Sequence, residues 1–241
     1  MVKKIVTLFT VIVSLFPGAS AQAPCSLPGM TPSNAIPVCG TSVFHQSQVI
    51  NCTAGNIAPT GCAETVTSGS SFWYKFTCYQ SGTLGFLLSG ISPDDDYDWA
   101  LFDITGANPN DVYTNSSLQI SVNIYGVSSS TAQFPNSPTG CKPGATGNLH
   151  CAGSATGNTP FNAMPNITVG HEYLLMVTNY SQSTAGYDLN FTGGSASITD
   201  PKEPHLLSAK AACDGTSITI KTNKRMKCTS LTAGGSEFSI S

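Results

Sequence analysis

Phe72-Trp73-Tyr74-Lys75-Phe76-Thr77-Cys78 decides the fold class. Side chains of an extended chain alternate between two faces, so Phe72, Tyr74, Phe76 and Cys78 share one side. Trp73, Lys75 and Thr77 take the other side. An aromatic face opposite a mixed face is the pattern of a half-buried strand. The same signal recurs downstream. Thr83 to Leu88 follows the turn Gln80-Ser81-Gly82, and Tyr97 to Ile104 and Leu118 to Val122 come next. Tyr173 to Thr178 is the strongest apolar run. Tyr187, Leu189 and Phe191 alternate with Asp188, Asn190 and Thr192. No eleven-residue window beyond the N-terminal run has helical period. Several short strands with turn signals between them predict an all-β, antiparallel β-sandwich.

Composition agrees. Charged residues make 10% of the 241-residue chain, against roughly 25% in typical soluble domains. Glycine, proline, serine and threonine are abundant, which disfavours a coiled coil, a helical bundle or an acidic disordered tail. Ten Lys+Arg and a net charge of -3 argue against nucleic-acid binding.

Met1 to Ala21 reads as a signal peptide. Lys3 and Lys4 precede the apolar run Ile5 to Phe16, Pro17-Gly18 break it, and Ala19-Ser20-Ala21 fits the cleavage pattern. The run is too short for a membrane span, and no later stretch is apolar enough for one. The expected location is therefore secreted or at the cell surface. Gln22 to Asp200 then carries ten acids and two bases, whereas Pro201 to Ser241 carries six bases and three acids. The change of sign, just after Gly193-Gly194-Ser195, places a boundary. The expected organisation is a signal peptide at 1–21, a sandwich at 22–200, and the beginning of an incomplete immunoglobulin-like β-domain at 201–241. An immunoglobulin-like sandwich needs about 100 residues, and 41 are present here.

All nine cysteines lie in the exported part, where disulfides persist. Close spacing suggests Cys25 with Cys39, Cys52 with Cys62, Cys141 with Cys151 and Cys213 with Cys228, although spacing does not fix connectivity. Cys78 shares the aromatic face and reads as a buried thiol. The polar stretch Ser128 to Pro160 reads as a long excursion stapled by Cys141 and Cys151.

The strand series resembles a known family. Ser81-Gly82-Thr83-Leu84-Gly85-Phe86, Asp96-Tyr97-Asp98-Trp99-Ala100-Leu101-Phe102-Asp103, Gly170 to Val177 and Ala185 to Phe191 follow in the order of the bacterial pre-peptidase C-terminal type of β-sandwich. With Phe72 to Cys78 added, the series looks like the N-terminal domain of large Bacteroidota surface proteins. Many of those end in a gliding-motility-associated sorting domain. Asn223 to Leu231 is similar to the start of the bacterial Ig-like repeats found in such proteins. The resemblance implies a jelly-roll-like sandwich on a secreted or surface protein, with further Ig-like domains downstream.

Asp94, Asp95, Asp96, Asp98 and Asp103 fall within ten residues of a charge-poor chain. Clustered carboxylates suit either a solvated loop or a bound cation. Calcium, which takes six to eight oxygens, is the cation that Asp94, Asp95, Asp96 and Asp98 would hold. Asp96 and Asp98 share a face, and Asp103 has the opposite parity. Trp73 is the candidate for stacking a sugar or a partner, against the alternative of packing in the core or under the 128–160 excursion. His171-Glu172-Tyr173-Leu174-Leu175 begins like a zinc-protease helix, but Leu175 stands where the second histidine is needed, on a predicted strand. No nucleophile elbow or dinucleotide fingerprint occurs. The expected function is a non-catalytic extracellular module with an adhesive or stalk role, meeting a protein or glycan surface. The alternative is an accessory carbohydrate- or protein-binding module of a secreted hydrolase.

Overall fold

A computed structural model describes residues 25–41, 43–52, 54–92, 94–126, 137–153, 157–202 and 206–223. The expected signal peptide and Cys228 lie outside the described residues. Two sheets face each other. The six-stranded sheet runs in the order Ile36–Pro37, Ser71–Thr77, Glu172–Asn179, Tyr97–Asp103, Gln119–Asn123 and Leu149–His150. The five-stranded sheet runs Phe161–Asn162, Thr139–Cys141, Phe86–Gly90, Ala185–Asn190 and Phe44–Gln48. The chain is an all-β sandwich. Its long central strands are antiparallel, and short parallel pairings occur at the edges, such as Leu149–His150 with Gln119–Asn123.

The opening heptapeptide sits one strand in from an edge. Glu172–Asn179 is central and pairs antiparallel with both Ser71–Thr77 and Tyr97–Asp103, with Leu175 opposite Tyr74 on one side and Leu101 on the other. Parity therefore stacks Tyr74, Leu175 and Leu101 on one face. Phe72, Phe76, Tyr97, Trp99 and Val177 join them and meet Phe86, Leu88, Tyr187, Leu189 and Phe191 of, or just beyond, the opposite sheet. Aromatic rings interlock there, with Phe86 edge-on to Trp99 at 4.9 Å and Phe76 edge-on to Phe191 at 5.5 Å. Edge-to-face pairs of this kind add about 0.5–1.5 kcal/mol beyond the area they bury. Cys78 is buried in this core as expected, and its thiol donates to the carbonyl of Gln80.

The other face of the six-stranded sheet is covered too. Trp73, Leu174, Met176, Ala100, Phe102 and Val122 pack with Ile57, Val66, Val112 and Ile124. Trp73 stacks on Phe102 at 6.0 Å and meets Tyr113 edge-on at 5.9 Å. The cover comes from the small ladder of Asn56–Ile57 with Val66–Thr67 and from the 3-10 turn Pro109–Tyr113. Asn108 caps that turn, its side chain accepting from Asn110 N–H. Trp73 therefore takes the packing alternative, in a core beneath these segments, and Leu149 of the 128–160 stretch packs against the same cluster.

The 128–160 stretch is not an excursion outside the sheets. Its described part supplies Thr139–Cys141 to one sheet and Leu149–His150 to the other. Asn162, which follows it, donates to Ser121 Oγ and to the carbonyl of Val122, and so ties the sheets at their border. The disulfides differ from the close pairings as well. Cys25 bonds Cys52, and Cys62 bonds Cys151. Cys39 and Cys141 are unpaired, and Cys141 is buried beside Phe86 in the five-stranded sheet. Spatial proximity decided the pairing, and Cys52 and Cys62, near neighbours in sequence, were carried to different clusters. Beyond Pro201, the described residues form one antiparallel hairpin, Leu206–Ala211 with Ile218–Thr222. Among the described residues, no helix is long and apolar enough to cross a membrane.

Candidate functional site

The acidic run enters the strand Tyr97–Asp103, and alternation splits its members. Asp94 is exposed in a turn. Asp95 turns inward, where its Oδ2 accepts from Ser183 Oγ at 2.7 Å and from Asn179 Nδ2 at 3.3 Å. Asp96 and Asp98 share the outer parity. Both are nearly closed to solvent, at 7% and 5% exposure, which rules out a solvated loop at these two positions. The backbone of Asp96 is held on both sides. Its N–H donates to Ser181 Oγ, and its carbonyl accepts from Tyr180 N–H.

Gly126 lies against Asp96. A Cβ at that position would fall 1.9 Å from Asp96 Oδ2, so only glycine admits the carboxyl group. Asp98 stands opposite Thr178, whose hydroxyl is committed to the carbonyl of Thr67. The Oδ1 atoms of Asp96 and Asp98 are buried without a hydrogen-bond partner. Burial pushes the Asp96 carboxyl up to about 7. Burial, with the Asp96 charge second, pushes Asp98 well above the usual carboxylate range.

The four expected cation ligands are therefore not brought together as a set. Among the described residues, no three of Asp94, Asp95, Asp96 and Asp98 place a carboxylate oxygen each within 4.8 Å of one another. The group that does converge is Cys62, Glu64 and Cys151, whose two sulfurs are bonded to each other. Trp73 is also displaced from its expected role. It is 0% exposed, so its ring offers no surface for stacking.

Asp103, on the opposite parity, has a different partner. Its Oδ2 lies 2.7 Å from His171 Nδ1, and its Oδ1 accepts from the hydroxyl and the N–H of Thr105. The pair joins the end of one central strand to the start of the next. His171 also stacks on Tyr173 at 6.3 Å. No local pattern announces this contact, because it spans 68 residues; the parity of Asp103 was the one available hint. A second pair, His45 Nδ1 with Asp188 Oδ1 at 2.7 Å, is exposed on the five-stranded sheet. A shallow recess of about 310 Å³ opens between Ala58–Thr60 and Val112–Gln119, with Tyr113 as its sole titratable lining group.

No family model, curated protein or solved structure matches the chain. The site must be read from its own chemistry. That chemistry comprises two histidine–carboxylate pairs, a buried carboxylate pair and two long-range disulfides.

Proposed function

We propose that this chain is a non-catalytic extracellular module of a bacterial secreted or surface protein, with an adhesive or structural role. The observation that carries the reading is the disulfide pattern. Cys25–Cys52 and Cys62–Cys151 close separations of 27 and 89 residues, the first against the core between the sheets and the second against the covered outer face of the six-stranded sheet. Bonds of that kind persist in oxidising compartments and are rare in the cytosol. The N-terminal signal pattern and the resemblance to Bacteroidota surface sandwiches point the same way. Burial of Trp73 removes the surface on which a carbohydrate-stacking alternative rested.

The test is genetic and biochemical. In the bacterium that makes it, the protein should be recovered in the surface or culture fraction. A deletion strain should attach less well to protein- or glycan-coated supports, or shed its surface layer more readily. Confinement to the cytoplasm, with unchanged attachment and an unchanged surface, would overturn the reading.

A further inference from the structure

We propose that Asp96 and Asp98 together hold one calcium ion on the outer face of the six-stranded sheet. Their place in the fold makes the pair. Both carboxylates follow one strand parity, at the mouth of Tyr97–Asp103, where Gly126 leaves room for Asp96 Oδ2. Each residue is more than nine-tenths buried, and each has one oxygen without a hydrogen-bond partner. A buried carboxylate is tolerated when it is paired, hydrogen-bonded or bound to metal.

Side-chain cations do not supply the pairing. Among the described residues, Lys75 is bound to Glu172 at 3.0 Å, and Lys142 lies over the Phe161 ring at 3.8 Å. The two histidine ion pairs use Asp103 and Asp188. Asp95 is already satisfied by Ser183 and Asn179. What remains is a pair of hard oxygen donors on one strand face, and no ion pair among the described residues reaches either of them. Hard donors select calcium or magnesium over zinc or copper. Calcium is favoured because its shell tolerates irregular angles and ligand numbers, whereas magnesium demands a near-ideal octahedron.

The experiment uses the purified full chain, stripped with chelator and then exchanged into chelator-free buffer near neutral pH. Thermal unfolding is followed with and without CaCl2, against NaCl of matched ionic strength. Calcium at about 100 times its dissociation constant should raise Tm by roughly 5–10 °C. Asp98→Asn should abolish the calcium response. Asp96→Asn should do the same, and serves if Asp98→Asn does not fold. Three results would overturn the proposal. They are no calcium response in the wild type, an equal response to matched NaCl, or a full calcium response retained in the folded variants.

Discussion

The hydroxyl of Tyr74 lies 2.9 Å from the hydroxyl of Tyr187, across the interface between the two sheets. Both groups are buried, and burial pushes both phenols above their ordinary range, so they face each other neutral. Two further polar ties cross the same interface. Tyr97 donates to the carbonyls of Ala185 and Gly186, and Trp99 Nε1 donates to Thr139. An apolar sandwich interface fixes no unique stagger, whereas directional bonds of this kind do. Tyr187→Phe would strand the Tyr74 hydroxyl and should cost about 1–3 kcal/mol in urea unfolding. Tyr74→Phe should cost a similar amount. The double variant should cost clearly less than the sum, because neither hydroxyl is then left alone. Strict additivity would show that the two do not depend on each other.

Gly186 marks a second place where the sandwich has no slack. A Cβ there would fall 1.6 Å from the carbonyl oxygen of Gln46, in the neighbouring strand. The obstacle is backbone, so no rotamer relieves it. Gly186→Ala should lower stability by about 3 kcal/mol or more, since overpacking of this severity must open the pairing with Phe44–Gln48. Gly144→Ala makes the contrast: its φ of +78° favours glycine, as that of Gly186 does not, but its Cβ would meet open space. Its cost should be the smaller of the two by denaturant midpoint.

The two disulfides should differ in worth. Loop-closure entropy grows with the logarithm of the span, so the 89-residue separation restrains the unfolded chain more than the 27-residue one. Cys62→Ser/Cys151→Ser should therefore cost about 1 kcal/mol more than Cys25→Ser/Cys52→Ser in guanidinium unfolding. The reverse order would mean that native packing around Cys25 matters more than chain entropy.

Acid stability should depend on Asp103. Burial pushes its carboxyl up, but bonds from the Thr105 hydroxyl, His171 and the Thr105 N–H outweigh burial and hold it below the usual carboxylate range. A carboxyl depressed in the folded state stabilises above its unfolded pKa, and this contribution fades as pH falls through the folded value. The groups facing it are His171, Thr105 and, through its charge, Tyr173. Wild-type stability should therefore fall as pH drops below about 4, whereas Asp103→Asn should show a flatter profile there. Parallel profiles in thermal unfolding would remove Asp103 from the acid limb.

The strands of the sandwich were legible because parity survives in the sequence. Phe72 to Cys78 and Tyr97 to Ile104 send alternate side chains to two different clusters, and Tyr187 and Leu189 turn to the core between the sheets. The cover of the outer face was not legible. Ile57, Val66 and Val112 are single apolar residues in polar surroundings, and two-residue ladders have no period to read. That omission left Trp73 open between a binding role and packing, since its parity was legible while the segment above it was not. The cysteines failed for a related reason, since pairing depends on which segments the cover brings together. For the acids, alternation separated Asp95 from Asp96 and Asp98. Only the fold could show that the latter two are shut away from water.

The most direct test is a disulfide map of the native protein recovered from outside the cell. Digestion without reductant, with free thiols blocked first, should give the linked peptides Cys25–Cys52 and Cys62–Cys151, with Cys78 and Cys141 carrying the blocking group only after unfolding. A protein found inside the cell with all of these cysteines reduced, or one bridged as Cys52–Cys62 and Cys141–Cys151, would contradict a stapled extracellular sandwich.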